Sequence, residues 1–340
     1  MKKSFLVFIF ILCCVRMGFP ADELSKVGTN MAQFLKLGIG SRATALGDAY
    51  AAMANDVSAM AWNPAGIQQI RRGSFGLSRT QLFADITLNF AGFSYPVDNS
   101  TAVGVSVINL SSGDIEVTTL DAQQGTGEYY STSDLAVGVS LARQLTDRFI
   151  LGATVKYIEE RIYREKGSTF AFDIGSQFDT GIYGMRLGMS LQNFGGKIKL
   201  DGPDLDQPYS NPQTGTVQPA GLRLKTERWS IPLVYRMGVM MDLLGPGSRI
   251  MTNPLNRFTV VAEANDPSDH YLRYNMGAEY EWNGMFALRG GYRLNYDEAD
   301  FTLGAGFKVN LGGTLLQIDY SFNNYGVLEY VHQYSLMFSF

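Results

Sequence analysis

Cysteine is almost missing from this 340-residue chain: the two present, Cys13 and Cys14, lie in one apolar run near the start. That run, Phe5 to Val15, follows Met1-Lys2-Lys3 and has the charged n-region and apolar h-region of a secretory leader. It is too short to span a bilayer. Leu12 is not the small residue that a lipoprotein signal would place before its cysteine. The leader is expected over 1–21, ending near Ala21, so the mature chain has no disulfide, no thiol nucleophile and no thiolate metal site. Histidine is equally scarce. His270 and His332 are the two in the chain, and neither has a nucleophile or acid at recognisable spacing, so no enzyme is expected. Basic charge is short as well. Removing Lys2, Lys3 and Arg16 lowers the basic count from 28 to 25 against 32 acids, a net charge of −7. A nucleic-acid partner calls for a basic face and is excluded. The acidic clusters Asp201-x-x-Asp204-x-Asp206 and Asp297-Glu298-x-Asp300 lack the closing glutamate of a calcium loop, so neither a metal nor a cofactor is expected.

Helix is the next scarcity. The one stretch that reads as helical runs from Phe34 to Gly66 and is rich in Ala and Gly. Ala45, Leu46, Ala49 and Met53 recur at helical spacing, which predicts a helix over Ala43–Ala54. Asp56 can cap a second short helix, Val57–Ala61, before Asn63-Pro64-Ala65-Gly66 stops it. Gly38-x-Gly40-x-x-Ala43, with Asp56 downstream, matches the dinucleotide-binding fingerprint. That motif needs a parallel sheet with crossover helices, which no later stretch supplies. The glycines are instead expected to make tight turns and close packing.

Strand patterning is abundant from Ser74 onward. Leu135, Val137, Val139 and Leu141 alternate with small or polar residues, as do Phe301, Leu303, Ala305, Phe307 and Val309. Tight turns at Asp98-Asn99, Thr146-Asp147, Thr180-Gly181, Asn283-Gly284 and Asn310–Gly313 alternate with longer links, the longest being Gly195–Ile231. Gly245–Asn256 is the one long link on the tight side. Short turns on one rim and long loops on the other are the pattern of an outer-membrane barrel. About fourteen strands are expected, starting at Ser74, Ile86, Thr101, Asp134, Phe149, Thr169, Met185, Pro232, Arg257, Leu272, Met285, Phe301, Thr314 and Tyr330.

The charges test that reading. Lys156, Asp173, Arg186, Arg236, Glu263, Arg273, Glu279, Arg289, Arg293, Lys308 and Asp319 all fall on the parity opposite the apolar face. Lys or Arg facing lipid at mid-depth would cost roughly 2–4 kcal/mol. Tyr95, Tyr157, Tyr163, Trp229, Trp282, Tyr292, Tyr296, Tyr320 and Tyr330 lie near strand ends as candidate interface girdles. The lipid face otherwise reads as uniformly apolar. The expected fold is an all-β transmembrane barrel of about 14 antiparallel strands with a small N-terminal helical hatch. Residues 22–72 form the hatch inside the barrel, and 73–340 the barrel itself.

The stretch Phe34 to Ala43, then Leu46-Gly47-Asp48-Ala49-Tyr50-Ala51-Ala52, then Trp62-Asn63-Pro64-Ala65-Gly66, resembles the N-terminal signature of the PorV/PorQ family. That family belongs to the FadL-like outer-membrane barrels. The resemblance implies a Gram-negative outer-membrane location, with outer-membrane lipid and the barrel assembly machinery as partners. It places Gly38, Gly40, Arg42, Asn63, Pro64, Ala65 and Gly66 in the hatch motif. Tyr334, Leu336, Phe338 and Phe340 are similar to the C-terminal signal read by that machinery. Two functions are implied. One is a protein-binding adaptor, shuttle or attachment component of a type IX-like secretion system, with secreted cargo C-terminal domains and secretion components as partners. The other is a FadL-like passive transporter of hydrophobic molecules such as fatty acids, retaining a hydrophobic ligand or detergent. The long loop, rich in Pro, Asp and Asn and carrying Tyr209, Leu222, Leu224 and Trp229, reads first as a partner-binding surface and second as a lid.

Overall fold

Antiparallel pairing of each strand with the next, and of the last with the first, closes the chain on itself. The computed structural model describes residues 26–210 and 217–340, without the side chains of 207–210 and 217–221. The leader and Cys13 and Cys14 lie outside the described residues, as does the side chain of Tyr209. Fourteen strands form one barrel: β1 (Ser74–Gln81), β2 (Thr87–Pro96), β3 (Thr101–Ser111), β4 (Thr132–Thr146), β5 (Phe149–Ile162), β6 (Glu165–Asp179), β7 (Arg186–Gly195), β8 (Val234–Gly245), β9 (Asn256–Pro267), β10 (Arg273–Trp282), β11 (Phe286–Leu294), β12 (Phe301–Leu311), β13 (Thr314–Asn324) and β14 (Tyr330–Ser339). Each pairs antiparallel with its sequence neighbours, and β14 returns to β1 in the register Ser74↔Ser339 through Gln81↔His332. Closure leaves no free edge, which lipid could not satisfy.

Turn chemistry sets the tight rim. Asp98 Oδ1 accepts from the amides of Ser100 at 2.7 Å and Thr101 at 2.8 Å, which fixes the β2–β3 turn. Asn283 and Gly284 both take positive φ (52° and 64°), the geometry of a two-residue hairpin. On the other rim, the link expected over Arg164–Ser168 is a tight turn instead. Tyr163 adopts a left-handed φ of 56°, and β6 begins at Glu165. The inward glycine at 167 then lets the Lys199 carbonyl approach, where a Cβ would sit 2.6 Å from it.

Parity holds throughout. Lys156, Asp173, Arg236, Glu263, Glu279, Arg289, Arg293 and Asp319 are buried inside, and Arg186, Arg273 and Lys308 are half-buried on the same face. Two expectations fail. Tyr296 is not a girdle residue: it turns inward, under the Arg273 guanidinium at 4.4 Å. The lipid face is not uniformly apolar, because Arg79, Asn89 and Asn109 lie on it.

The segment ahead of β1 fills the barrel. The helix expected over Ala43–Ala54 is one turn, α1 (Ser41–Ala45). Gly47 and Asp48 both take φ of 66°, and the amides of Gly47 and Asp48 donate to the carbonyls of Thr44 (3.0 Å) and Ala43 (3.1 Å). This is a Schellman stop with glycine at the left-handed position. Val57–Ala61 is a 3-10 helix capped by Asp56, whose Oδ1 accepts from Ser58 N at 2.9 Å. Asn63 caps a third such piece, Pro64–Gln69.

Candidate functional site

The inner segment crosses the barrel from its extracellular mouth to β1 at the opposite rim. At the mouth, Met31 N donates to Ser230 O (2.9 Å) and Ala32 N to Glu160 Oε1 (2.7 Å). Lys36 Nζ lies 2.8 Å from Asp269 Oδ2, and Gln33 Nε2 donates to the same oxygen at 2.8 Å. Burial raises the Asp269 carboxyl, but these two donors outweigh it and hold the group below the usual carboxylate range. The tie therefore contributes fully above the ordinary carboxylate pKa and is lost as pH falls through the lowered folded value. Hydrogen exchange of the amides at 30–37, taken relative to the intrinsic rate at each pH, is expected to rise stepwise as pH drops below about 4. Asp269→Asn should raise that exchange at neutral pH and remove the acid step; an identical profile in both proteins would refute the tie.

Deeper inside, charge fastens plug to wall. Arg42 grips Glu279 with two bonds of 2.9 Å, from Nε to Oε2 and from Nη2 to Oε1, and donates Nη1 to Asn55 Oδ1 at 2.6 Å. Arg289 bridges Glu279 and Asp319 at 2.6 Å each. Burial disfavours the Arg42 cation unless it is paired, and Glu279 at 2.9 Å, with Asp56 Oδ2 at 3.8 Å, supplies the countercharge. Glu263 Oε2 accepts from the amides of Tyr50 (3.0 Å) and Ala51 (2.7 Å) and so holds the plug backbone.

Glycines on the wall let the plug backbone lie against it. A Cβ on Gly277 would stand 2.6 Å from Leu46 O, and one on Gly291 would collide with Gly47 N. Gly152 and Gly175 face Pro64, Ala65 and Asn63 in the same way. Asn63 donates Nδ2 to Ala51 O (2.8 Å) and Ser176 O (2.9 Å), joining the plug to β6. Gly66 passes against Ala54 O. Gly38 packs beneath Asp48 and Thr44, while Gly40, at φ 87°, faces Ser58. The structure thus brings Arg42 and the Asn63–Gly66 turn to opposite sides of one plug.

Above the plug is a cavity of about 320 Å³ at the extracellular mouth, and three arginines converge on it. Arg236 lies 4.6 Å over the Trp62 ring and pairs with Glu263 at 3.3 Å. Arg273 stacks on Tyr296, and its buried Nε has no hydrogen-bond partner among the described residues. Arg293 lies 3.0 Å from Asp48 Oδ2 and 5.6 Å over Tyr325, while its buried Nη1 is also unpartnered. Buried donors of this kind call for an acceptor, and the carboxylates of Asp48, Asp297 and Glu298 line the same cavity. Parity alone places these arginines inside. Their convergence depends on Tyr296 and Tyr325, which come from two separate outer loops.

The long outer link carries two short antiparallel pairings among the described residues. Lys197–Ile198 pairs with Trp229–Ser230, and Asp206–Ser210 with Val217–Arg223. Leu222, Leu224 and Trp229 are exposed on it. At the other end of the chain, Tyr334, Leu336 and Phe338 face outward on β14, and Phe340 stacks on Phe93 at 6.5 Å. His270 sits 3.2 Å from Asp297, and His332 bonds to Tyr320 at 2.8 Å. Among the described residues no group of three or more His, Cys, Asp or Glu is placed to hold a metal.

No curated protein matches the sequence. Solved structures share the fold. The CymD monoaromatic hydrocarbon channel is 13% identical, with a TM-score of 0.58, 89% of this chain and 98% of that chain covered. The toluene transporter TodX of Pseudomonas putida is 12% identical, at 0.58, with 89% and 97% covered. A Pseudomonas aeruginosa FadL homologue is 12% identical, at 0.52, with 88% and 96% covered. The closed barrel with its apolar outer belt resides in the Gram-negative outer membrane. A family model described as "Type IX secretion system protein PorV" matches residues 20–216, more than half of the chain. By that match, over the plug and the first seven strands, the chain belongs to the PorV family of outer-membrane barrels.

Proposed function

We propose that this barrel admits small amphiphilic molecules with an anionic head, hydrophobic carboxylates above all, from the extracellular side. The observation that carries this reading is the mouth cavity, where Arg273 Nε and Arg293 Nη1 are buried without hydrogen-bond partners among the described residues. The aromatic planes of Tyr296 and Tyr325 flank the same space and offer apolar surface to a tail. The fold shared with a toluene transporter and a hydrocarbon channel supports the same direction.

The test is binding of a long-chain fatty acid to the purified barrel, with the matching alcohol as control. The carboxylate is expected to bind and the alcohol to bind far more weakly. Arg273→Ala should weaken carboxylate binding by about tenfold or more, the worth of one charge-assisted hydrogen bond. Equal binding of acid and alcohol, or no effect of the substitution, would sink the reading. A protein-binding role in type IX secretion is the second reading. It draws on the family description and on exposed Leu222, Leu224 and Trp229 over the mouth. On that reading, removing the hairpin from 203 to 224 abolishes partner capture while fatty-acid binding, if present, stays.

A further inference from the structure

The apolar outer belt of the barrel is not level. On β12 it runs unbroken from Phe301 to Leu311, whereas on β1 the outward side chains are Phe75, Leu77, Arg79 and Gln81. The polar gap continues sideways. Arg79 lies opposite Asn89 and Asn89 opposite Asn109, and the next rung toward the extracellular rim is Gln81, Thr87 and Ser111. On the other side of β1 the same rim is aromatic: Tyr334 of β14 is the ladder partner of Arg79, Phe322 lies against Tyr330 at 4.9 Å and Tyr320 is stacked on His332 at 6.0 Å. An outer-membrane belt is about 25 Å tall. On the β2–β3 side of β1 it ends at Leu77, which places Arg79 at the level of the head groups.

Arg79 is exposed there and makes no hydrogen bond or ion pair among the described residues. Directly beneath it is a groove of about 470 Å³ walled by Leu77, Val107, Ile318 and Leu336. The short side chain of Ala91, between its ladder partners Leu77 and Val107, forms the floor. Asn109 is already engaged, donating to Ser133 Oγ and Asp134 O at 3.2 Å, whereas Asn89 faces the groove. An unpaired cation above an apolar slot, on a wall that faces lipid, complements one kind of occupant. It must be an anion carrying a hydrocarbon tail, and guanidinium matches phosphate with two parallel bonds.

We propose that the β1–β3 notch binds one phosphorylated lipid of the outer leaflet, its phosphate on Arg79 and an acyl chain along Leu77, Ala91 and Val107. The site is on the outer wall and is independent of the mouth cavity. Arg143, another outward arginine, near the opposite rim on β4, is the control for general attraction of anionic lipid.

The experiment uses the full chain purified in mild detergent, incubated with bisphosphorylated lipid A or with its dephosphorylated form, and read by native mass spectrometry. One bisphosphorylated lipid A is expected to remain on the native protein and the dephosphorylated form to be lost. Arg79→Ala should lower retention about tenfold. Arg79→Gln, which keeps side-chain length, should do the same, and Arg143→Ala should leave retention unchanged. Equal retention by the Arg79 variants, equal retention of the dephosphorylated lipid, or an equal loss in Arg143→Ala would each overturn the site. A protein occupying this face in place of lipid would give the first of those results.

Discussion

Replacing Arg42 with alanine is expected to release the plug from the wall and expose residues 30–70 to protease in otherwise intact membranes. The reason is what the substitution leaves behind. Glu279 is 1% exposed and would keep a single cationic partner, Arg289, which Asp319 also claims. Breaking one side of a buried ion pair costs about 3–5 kcal/mol, mostly the penalty of the stranded charge. Arg42→Lys should not restore the plug, because an ammonium cannot make the paired bonds to both Glu279 oxygens or reach Asn55 as well. Adding Glu279→Gln to Arg42→Ala should recover part of the loss by removing the stranded charge. The readout is limited trypsin digestion of outer-membrane fractions, with the heat-modifiable barrel band reporting assembly. Wild-type resistance of the N-terminal segment in Arg42→Ala would show that the network does not hold the plug.

The second large effect is expected at adjacent glycines with opposite outcomes. Gly291→Val places a side chain where the backbone of Leu46 and Gly47 already lies, with Thr302 on the other side. A backbone cannot step aside as a flexible side chain can, so the cost should exceed the roughly 1–3 kcal/mol of ordinary overpacking. Gly290→Val points outward, where the nearest atoms, Leu303 Cδ2 at 3.8 Å and Thr302 O at 4.0 Å, leave room. It is expected to change stability by no more than about 0.5 kcal/mol. Both substitutions put the same β-branched residue into one strand, so propensity cancels and the difference is the plug contact alone. Thermal unfolding in detergent, with the yield of heat-modifiable protein, measures both. Similar behaviour of the two variants would mean that the plug does not press on β11.

These two contacts bear on how a barrel with a filled interior could pass anything. Arg42–Glu279 and Gly47–Gly291 fix the plug against β10 and β11, while Asn63 and the Pro64–Gln69 turn fix it against β5 and β6. The mouth cavity lies above these fastenings. A solute entering there reaches Arg293, which also holds Asp48 next to the Schellman stop. A bound carboxylate on Arg293 would compete with Asp48 and loosen the plug at its left-handed turn. On the proposed transport function, entry and release would be linked through Arg293.

How much of this is legible in the sequence depends on whether the signal is local. Strand existence is: period-two alternation needs only a few residues, and the starts at Ser74, Thr101, Phe149, Phe301, Thr314 and Tyr330 fall where the pattern puts them. Inward charge follows from the same parity, since Glu279, Arg289 and Asp319 could face lipid only at high cost. The Asp56 cap is local too, resting on Ser58 two residues away. The Ala43–Ala54 helix is the counterexample. Its spacing is helical, but the helix stops after Ala45, because Thr302 and the wall glycines 277 and 291 take the Leu46–Gly47 backbone against the barrel. Tyr296 could not be placed either: an aromatic near a strand end serves equally at a membrane interface or inside, and Arg273 lies on another strand. The sequence by itself determined a fourteen-stranded, polar-lined barrel with a terminating N-terminal segment, because alternation and turn chemistry act within a few residues. Only the tertiary structure decided that Arg236, Arg273 and Arg293 meet at one mouth and that Arg79 is left alone above a groove, because strand register and loop path set which distant side chains become neighbours.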